Sequence, residues 1–407
     1  MTNGVAAAPI DASFVVVGAS LAGVRAAEAL RRHGATGSIT LIGSEPHRPY
    51  DRPPLSKAYL VGNVGVDRLS LSRHENELAD QEIELRTGVA AIGLHLRDRM
   101  LITSTGPVPF DRLVIATGTS VRRLPHAEGA PVFVLRTLED STALQARLTE
   151  GARIVVIGAG FIGSEVAAAA KAKGGNVTVV EALPIPLERQ LGADMGRACS
   201  LLHERNGVTL LTGVGVASIE PHGVELADGT TLPAETVVVG VGVSPNTEWL
   251  SGSGLSLGDG VQCDAACRVI DDQGQSVPHV VACGDVARWP NELFDEQMRV
   301  EHWTNAVEMA DHAARTLLGD AQPFRPVPYF WSDQYGTKIQ FLGRATGFDE
   351  VLVVDGDPSS GAGVALYRRG DRLVGALGLN RIKAVMGYRS LLDNAASWAA
   401  ALEKAGI

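Results

Sequence analysis

Short runs of consecutive apolar residues recur along the chain, and a glycine follows each of the most prominent ones. Two such runs are Phe14–Val17 and Ile154–Ile157. They are rich in β-branched residues and contain no polar one, which is typical of strands buried in a parallel sheet. A glycine turn and an alanine-rich helical segment follow in both places, over Val24–Arg32 and Ser164–Lys173. The pattern predicts two α/β units.

Further apolar strands complete these two units. Asp111–Gly118 and Thr236–Asn246 are similar strands that contain glycine after their apolar runs, so the two units are internal analogues. Val277–Val286 is a short strand that ends in Gly-Asp. The sequence of Arg299–Leu318 is typical of a helix, and Thr304 or Asn305 is the candidate for its N-cap.

The pattern changes after Pro323 to short strands and one closing helical segment. These elements predict a separate antiparallel α+β domain. The predicted strands are 329–333, 338–342, 351–354, 364–367 and 373–379, and the helical segment is 383–406. The predicted fold class is α/β, with two Rossmann-like dinucleotide-binding domains and a C-terminal α+β domain. The predicted domain bounds are 1–114 with 241–320 for the first nucleotide-binding domain, 115–240 for the second, and 321–407 for the C-terminal domain.

The glycine turns have the form that cradles a dinucleotide pyrophosphate. Gly158, Gly160 and Gly163 keep the full G-x-G-x-x-G spacing, and Glu181 follows 23 positions after the first glycine, where a ribose-binding carboxylate is expected. The helix N-terminus would face the phosphates. In the first copy Ser20 replaces the middle glycine, so a plain strand–helix turn is the alternative interpretation.

Charged residues near the first turn are candidates for further cofactor contacts. Glu45 lies 27 positions after Gly18 and is the candidate for the ribose of the first nucleotide, with a loop or capping role as the alternative. Arg52 and Lys57 flank two prolines that fix the backbone, so they suit an anionic ring edge. The alternative is a solvated basic loop.

Composition narrows the class of protein. The 407 residues carry a net charge of −10, which argues against a nucleic-acid binder. Residues 1–13 are expected to form a loose tail and contain no secretory signal. No apolar run is long enough to cross a membrane, and we expect a cytoplasmic protein. The four cysteines are interpreted as small buried residues rather than as a redox or metal site, and no metal site is predicted.

Several motifs together resemble those of FAD-dependent, NADH-dependent ferredoxin reductases that serve oxygenases, a group with a glutathione-reductase-like fold. The motifs that carry the resemblance are Arg52–Lys57, Ala116–Gly118, Gly158–Glu165, Cys283–Val286 and Tyr329–Gln334. The resemblance covers about residues 12 to 400. It implies hydride transfer from NADH to FAD and then single-electron transfer to a 2Fe–2S ferredoxin.

The resemblance also implies roles for individual residues. For FAD it implies Gly18, Ala22, Gly23, Ser44, Glu45, Arg52, Lys57, Val89 (through its backbone), Thr117, Gly118, Arg136, Asp285 and Trp303. For NADH it implies Gly158, Gly160, Gly163, Glu165, Glu181 and Gly242. Lys57, Glu165 and Trp331 are implied in catalysis, with Trp331 beside the flavin on the ferredoxin side. A simple anchor for the last domain is the alternative role for Trp331.

The cysteine inventory separates this chain from the disulfide reductases of the same architecture. Those enzymes need a cysteine pair beyond the first glycine turn, and NADH peroxidases and coenzyme A-disulfide reductases need one cysteine there. The stretch from Met1 to Arg197 contains none. Because thiolate chemistry needs a thiol, a thiol–disulfide relay is excluded and direct flavin chemistry is left.

Other acceptors and a non-catalytic role remain open at this stage. The alternatives are a reductase for rubredoxin, a quinone or a monodehydroascorbate-like radical, and a redox-sensing flavoprotein similar to apoptosis-inducing factor. The expected partner is an acidic ferredoxin that binds transiently to a monomer or weak homodimer. Residues 319–407 carry a net charge of +1 against −11 for residues 1–318. Arg368, Arg369, Arg381 and Lys383 are candidates for steering that ferredoxin, or ordinary solvated charges.

Overall fold

The computed structural model describes residues 10–72 and 74–407, which form two compact units. The first unit combines the described residues up to Asp51 with those of Leu69–Ser120 and Ser244–Pro328. The second unit combines Arg52–Arg68, Val121–Val243 and Tyr329–Ile407. Residues 1–9 of the expected N-terminal tail lie outside the described residues. The predicted domain boundaries stay a prediction.

The described residues form α-helices and strands with the following bounds. The α-helices are α1 (Leu21–Arg32), α2 (Glu77–Asp80), α3 (Leu138–Gln145), α4 (Phe161–Ala172), α5 (Glu188–Leu191), α6 (Ala193–Arg205), α7 (Trp303–Leu317), α8 (Ile382–Met386), α9 (Arg389–Asp393) and α10 (Trp398–Ala405). The strands are β1 (Phe14–Val17), β2 (Ile39–Ile42), β3 (Ile83–Arg86), β4 (Ala91–His95), β5 (Met100–Thr103), β6 (Gly106–Pro109), β7 (Arg112–Ile115), β8 (Thr119–Val121), β9 (Val132–Phe133), β10 (Arg153–Ile157), β11 (Asn176–Glu181), β12 (Thr209–Thr212), β13 (Val216–Glu220), β14 (Gly223–Leu226), β15 (Thr231–Pro233), β16 (Thr236–Val239), β17 (Val243–Pro245), β18 (Leu257–Gly258), β19 (Gly260–Gln262), β20 (Arg268–Ile270), β21 (Ser276–Ala282), β22 (Ala287–Asn291), β23 (Glu296–Met298), β24 (Tyr329–Gln334), β25 (Thr337–Gly343), β26 (Glu350–Asp357), β27 (Ala362–Arg369) and β28 (Arg372–Leu379).

The first unit is built on a six-stranded sheet in the order β20-β21-β7-β1-β2-β3. Strand β1 lies parallel to both β2 and β7, and all of its residues are buried. This burial explains why its sequence is a continuous apolar run rather than an alternating one. Helices α1 and α7 pack against each other in the same unit. The buried strands thus confirm the predicted first α/β unit.

The second unit repeats this arrangement in a five-stranded sheet, in the order β12-β11-β10-β16-β9. Strand β10 lies parallel between β11 and β16, as β1 does between β2 and β7. Its core contains Val156 from β10 and Val166 and Ala170 from α4. Leu60 from the 52–68 segment belongs to the same core, so that segment packs with the second unit.

The second unit also contains the predicted antiparallel region. Its five strands form one sheet in the order β24-β25-β28-β27-β26. The closing segment is not a continuous helix but the three short helices α8, α9 and α10. The five strands were all predicted, and this part of the fold class is confirmed.

Several predicted element boundaries are wrong for physical reasons. Helices α1 and α4 begin three residues earlier than predicted, because Gly23 and Gly163 lie in the first helical turn rather than in the preceding loop. The strand predicted over Thr236–Asn246 is broken, since β16 ends at Val239. Gly242 has a φ of +95°, which leaves the extended region of the backbone.

An ion-pair cluster ties α1 to α7 in the first unit. The Asp311 carboxylate accepts hydrogen bonds from Arg32, His33 and Arg315. Partial burial would raise the pKa of Asp311, but these hydrogen bonds outweigh it and lower the pKa to about 2. A carboxyl whose folded pKa is depressed stabilises the fold above its unfolded pKa of about 4, and this stabilisation is lost as the pH falls towards 2.

The Asp311→Asn substitution is therefore expected to destabilise the protein at pH 7 by about 1 kcal/mol, a modest value because the cluster is partly exposed. The loss should shrink at pH 3, where the wild-type carboxyl begins to be protonated. Urea unfolding at both pH values measures this. Asp194→Asn, which removes an exposed carboxylate paired with Arg197 at 3.1 Å, is the control. An Asp311→Asn loss that is equal at pH 7 and pH 3 would contradict the assignment.

Candidate functional site

The first glycine turn is so tight that a side chain on either of its two glycines would overlap backbone atoms. Gly18 has a φ of +110°, and a Cβ there would lie 2.1 Å from the carbonyl oxygen of Ala116. A Cβ on Gly23 would lie 1.8 Å from the carbonyl oxygen of Gly18. Ser20 is the N-cap of α1, and Ala22 lies in its first turn. The turn therefore brings the N-terminus of α1 close to the end of β1, as a phosphate cradle requires.

The second glycine turn has the same geometry and one open position. A Cβ on Gly158 would lie 2.4 Å from the Gly240 carbonyl oxygen, and one on Gly163 would lie 2.0 Å from the Gly158 carbonyl oxygen. At Gly160, the N-cap of α4, no described atom lies within 4 Å of the Cβ position. The space above Gly160 fits a pyrophosphate that approaches the backbone closely.

The carboxylate at the end of β11 is held at the mouth of this second turn. Glu181 accepts the backbone N–H of Ala159 at 2.8 Å with one oxygen and that of Leu183 at 2.9 Å with the other. It therefore lies beside the glycine turn, where the ribose of a dinucleotide would lie. Gly242 lies beyond β16, and its carbonyl accepts the Arg122 N–H at 2.9 Å.

The corresponding region of the first unit is built from loop residues. Ser44 is exposed, and the half-buried Glu45 carboxylate accepts the hydroxyl of Tyr50. The N–H of Val89 donates to the Gly43 carbonyl at 2.9 Å, so any backbone contact of Val89 with an adenine would use its carbonyl oxygen. The hydrogen bond of Glu45 shows that its carboxylate has a local role besides any role with a ribose.

Asp285 lies immediately beyond β21, at the carboxyl edge of the first sheet. Thr119 donates its hydroxyl to the Asp285 carboxylate at 3.3 Å, and the guanidinium of Arg299 donates to its carbonyl at 3.2 Å. A Cβ on the preceding Gly284 would lie 2.8 Å from the Cβ of Ala22. Asp285 is thus placed against the first turn of α1, next to the first glycine turn.

Two other predicted flavin contacts belong to the same unit. Thr117 exchanges hydrogen bonds with Asn246: its hydroxyl donates to the Asn246 carbonyl at 2.9 Å, and the Asn246 amide donates to its carbonyl at 2.8 Å. Gly118 has a φ of +64° and accepts the Asn246 N–H at 2.9 Å. These contacts fix the loop that follows β7 near the carboxyl edge of the sheet.

Helix α7 begins at Trp303 and has His302 as its N-cap. The prediction of Thr304 or Asn305 as the cap is therefore wrong, because both residues already have helical neighbours on each side. The indole N–H of Trp303 donates to Asp51 at 2.8 Å. With 15 residues, α7 is long enough for a full dipole at its N-terminus.

In the second unit, the Glu165 carboxylate on α4 is buried and is held by donors from two other segments. Lys57 donates to its Oε2 at 2.6 Å, and Ser56 donates to the same oxygen at 2.5 Å. Ser332 of β24 donates to Oε1 at 2.6 Å. Glu165 is only 3% exposed, so its charge depends on these partners. The structure brings the predicted Lys57 and Glu165 together.

The proline-rich segment also positions Arg52. Pro53–Ser56 forms a 3₁₀ turn with proline in its first positions. The Arg52 guanidinium donates to the carbonyl of Arg136 at 2.6 Å, and the Arg136 N–H donates to Asp140 at 3.0 Å. Arg52 and Arg136 are therefore neighbours in the second unit.

Trp331 lies on β24 and is half-buried. Its ring centroid is 6.1 Å from that of Tyr329, and Gln340 is its cross-strand partner on β25. Gln340 donates its amide to the Tyr329 hydroxyl at 2.5 Å. Trp331 thus belongs to a packed aromatic pair on an edge strand of the C-terminal sheet.

The cysteines do not form a reactive site. Cys199, Cys263, Cys267 and Cys283 are all buried. Burial raises the pKa of the Cys199 and Cys283 thiols to about 12, so they stay protonated. Among residues 10–72 and 74–407, no group of three metal-ligating side chains is found, and no helix is long and apolar enough to cross a membrane.

Two dinucleotide cradles in one chain, one of them with a buried ion pair beside it, define a flavin- and nicotinamide-dependent class of oxidoreductases. Residues 12–310 match the family described as pyridine nucleotide-disulphide oxidoreductase, and residues 329–403 match the one described as reductase C-terminal. The chain belongs to the pyridine nucleotide-disulphide oxidoreductase family.

Individual relatives are reductases of oxygenase systems. The chain is 38% identical to rhodocoxin reductase of Rhodococcus erythropolis, over 93% of this chain and 89% of that protein. It is 36% identical to putidaredoxin reductase of Pseudomonas putida, over 91% of this chain and 89% of that protein. The structure of the covalent putidaredoxin reductase–putidaredoxin complex matches with a TM-score of 0.89 and 33% sequence identity. The match covers 94% of this chain and 93% of that chain. These findings confirm the resemblance inferred from the motifs.

Sequence reasoning missed several residues of the site. Ser56 and Ser332 lie within motifs that were recognised, but their bonds to Glu165 span 109 and 167 residues along the chain. Arg299, whose guanidinium donates to the Asp285 carbonyl, belongs to none of the recognised motifs.

Proposed function

We propose that the chain is an NADH:ferredoxin oxidoreductase that contains FAD and serves an oxygenase, either a haem-thiolate monooxygenase or a Rieske dioxygenase. One observation carries the proposal: two glycine cradles of similar geometry occur in one chain, and the helix that follows the second cradle carries the buried Glu165, which pairs with Lys57 of the 52–68 segment. The inventory of thiols supports it, since the stretch before Cys199 contains none.

FAD is assigned to the first unit. Gly18, Ala22 and Gly23 would hold its pyrophosphate, and Glu45 its ribose. Asp285 would accept from the ribityl chain, and the N-terminus of α7 at Trp303 would stabilise negative charge on the isoalloxazine. When bound, FAD supplies the chemistry of accepting a hydride and releasing single electrons.

NADH is assigned to the second unit. Gly158, Gly160 and Gly163 would hold the pyrophosphate, and Glu181 would accept from the ribose 2′-hydroxyl. Glu165 would lie near the nicotinamide, with Lys57 balancing its charge. Because Ser56, Lys57 and Ser332 fix both carboxylate oxygens, Glu165 keeps one orientation without the help of solvent.

The overall test is a titration of the purified protein with NADH, followed by turnover with a 2Fe–2S ferredoxin. We expect bleaching of a flavin absorbance by NADH and rapid NADH-dependent reduction of the ferredoxin. A long-lived reduced complex with little turnover would instead favour a redox-sensing protein. Fast turnover with rubredoxin or a quinone, and none with ferredoxin, would move the assignment to those acceptors.

The Asp285→Ala substitution is expected to weaken FAD binding by about 1–3 kcal/mol, because ribityl hydroxyls would lose their acceptor. The measurement is the flavin-to-protein ratio after dialysis. Asp272→Ala, on an exposed turn of the same unit, is the control and should keep its flavin. Full flavin retention by Asp285→Ala would contradict the placement of Asp285.

The enzyme is expected to prefer NADH to NADPH, because the fixed Glu181 carboxylate would repel a 2′-phosphate. Replacing Glu181 by Gln should narrow the preference in kcat/KM by about tenfold, which corresponds to roughly 1.4 kcal/mol of lost repulsion. Glu188→Gln, an exposed carboxylate on the following helix, is the control. Equal efficiency of the wild type with both nucleotides would count against the assignment.

Trp331→Ala is expected to slow ferredoxin reduction while it leaves hydride transfer from NADH largely intact, because the aromatic pair lies on the electron-exit side in this proposal. Rapid-mixing kinetics separate the two half-reactions. Trp398→Ala, another half-buried tryptophan of the C-terminal region, is the control. If Trp331→Ala slows both half-reactions equally, Trp331 is an anchor rather than an electron-transfer residue.

Arg368 and Arg381, both proposed for steering, form ion pairs with nearby carboxylates. Arg368 binds Glu350 and Arg381 binds Asp355, each at 2.9 Å. Lys383 is exposed on α8, between the exposed apolar side chains of Ile382 and Met386. Lys383 is therefore a better candidate than Arg381 for contact with an acidic, transiently bound ferredoxin.

The Michaelis constant for ferredoxin is expected to rise with ionic strength more than that for NADH, because exposed charges are screened by salt. Reversal of Lys383 or Arg369 to Glu should flatten this salt dependence. Arg381→Glu is the comparison, since Asp355 already offsets its charge. A ferredoxin Michaelis constant that does not respond to salt would contradict steering but not the reductase function.

A further inference from the structure

A buried histidine bridges two hydroxyl groups directly beside Glu165, and the proposed function does not use it. His203 on α6 lies with its Nε2 3.2 Å from the Ser164 hydroxyl and its Nδ1 2.8 Å from the Tyr335 hydroxyl. Ser164 and His203 are 1% and 2% exposed. The bridge therefore connects α4, α6 and the turn between β24 and β25.

Tyr335 occupies a backbone position that disfavours its side chain. It forms the two-residue turn of the β24–β25 hairpin with Gly336, and their φ angles are +51° and +75°. Such turns favour Asn, Asp or Gly, because a larger residue is strained at positive φ. The Tyr335 ring packs edge-on against His203, with 5.4 Å between the ring centroids, and also against the apolar core of α4. These contacts offset the strain in the turn.

The bridge is chemically complete when the imidazole is neutral. Burial lowers the pKa of His203 to about 4 and raises the pKa of the Tyr335 phenol, so both groups are neutral at physiological pH. A neutral imidazole has one donor and one acceptor, and a hydroxyl can act as either. Both ring nitrogens can therefore be satisfied in either tautomer.

The bridge and the Glu165 site attach to the same hairpin. Ser164 and Glu165 are consecutive on α4, and Glu165 accepts from Ser332, three residues before Tyr335. We propose that the Ser164–His203–Tyr335 bridge is a positioning device that holds the β24–β25 hairpin on α4 and so fixes the Glu165 carboxylate for hydride transfer. This inference rests on the proposed function of Glu165. His203 and Tyr335 are positioning residues in it, not catalytic ones.

The chain offers a matched pair of variants for the test. Tyr335→Phe removes one phenolic hydroxyl from the bridge and keeps the ring. Tyr367→Phe removes one from the same sheet, where the buried Tyr367 donates to the Leu191 carbonyl at 2.8 Å. Tyr335→Phe is expected to slow flavin reduction by NADH about fivefold with less than a twofold change in the KM for NADH, whereas Tyr367→Phe stays within about twofold of the wild type in both.

Hydrogen exchange of the peptide covering 329–341, measured without NADH, gives a readout independent of turnover. Exchange should be faster in Tyr335→Phe than in Tyr367→Phe and the wild type. Tyr335→Asn removes the bridge but places a residue that suits the turn. It should also slow flavin reduction and speed exchange in the hairpin, which would show that the effects of Tyr335→Phe do not come from a folding defect.

The inference is overturned if Tyr335→Phe and Tyr367→Phe have equal hydride-transfer rates, or if neither changes exchange in the hairpin. A failure of the proposed function is distinct, because the wild type itself would then not take a hydride from NADH. In that case the exchange measurement still tests whether the bridge holds the hairpin. Faster exchange in Tyr335→Phe alone supports this role of the bridge, and unchanged exchange overturns it.

Discussion

The packing of the second unit depends on hydrogen-bond and ion-pair partners for one buried carboxylate, that of Glu165. Glu165 is almost completely buried on α4, and a buried carboxylate without partners is strongly unfavourable. Its partners Lys57 and Ser332 come from segments that lie 108 and 167 residues away along the chain. The segment 52–68, helix α4 and the C-terminal sheet must therefore come together before this charge can be stabilised. A hydrophobic core alone would bring these elements together, but it would not fix which residues meet.

The glycine turns impose an equally strict constraint, and they impose it twice. In both units the first glycine lies against a carbonyl oxygen at the end of a neighbouring strand, at a distance that a Cβ would not allow. The last glycine lies similarly close to the carbonyl oxygen of the first glycine, so the helix can approach the turn. The N–H of Gly18 donates to Ile42 and that of Gly158 donates to Val180, both at 2.7 Å. Ser20 in place of a middle glycine is compatible with this geometry, because the middle position is the N-cap and has extended φ and ψ angles in both copies.

Local sequence was sufficient for most of the fold, because the features that determine it are local. Apolar runs such as Phe14–Val17 and Ile154–Ile157 predict strands that match β1 and, apart from Arg153 at its start, β10. The sequence pattern predicts starts of α1 and α4 that are three residues too late, because glycine generally favours loops whereas Gly23 and Gly163 lie inside the helices. The contacts of Ser332, His203 and Tyr335 could not be predicted, because they depend on how distant elements pack. The positive φ of Tyr335 could not be inferred either, since the sequence alone gives a tyrosine no reason to adopt it.

Strand β24 combines two tasks because consecutive residues of a strand face opposite sides of the sheet. Phe330 and Ser332 face α4, where Phe330 packs on Phe161 with 4.7 Å between the ring centroids and Ser332 binds Glu165. Trp331 and Tyr329 therefore face the other side. In a reductase, one side of this strand would support the carboxylate beside the nicotinamide, and the other would present aromatic rings to an electron acceptor. A substitution that shifts the strand would then disturb both half-reactions, whereas one confined to a single face would disturb only one. On this proposal, the two faces of the shared strand would let substitutions separate the two half-reactions in kinetics.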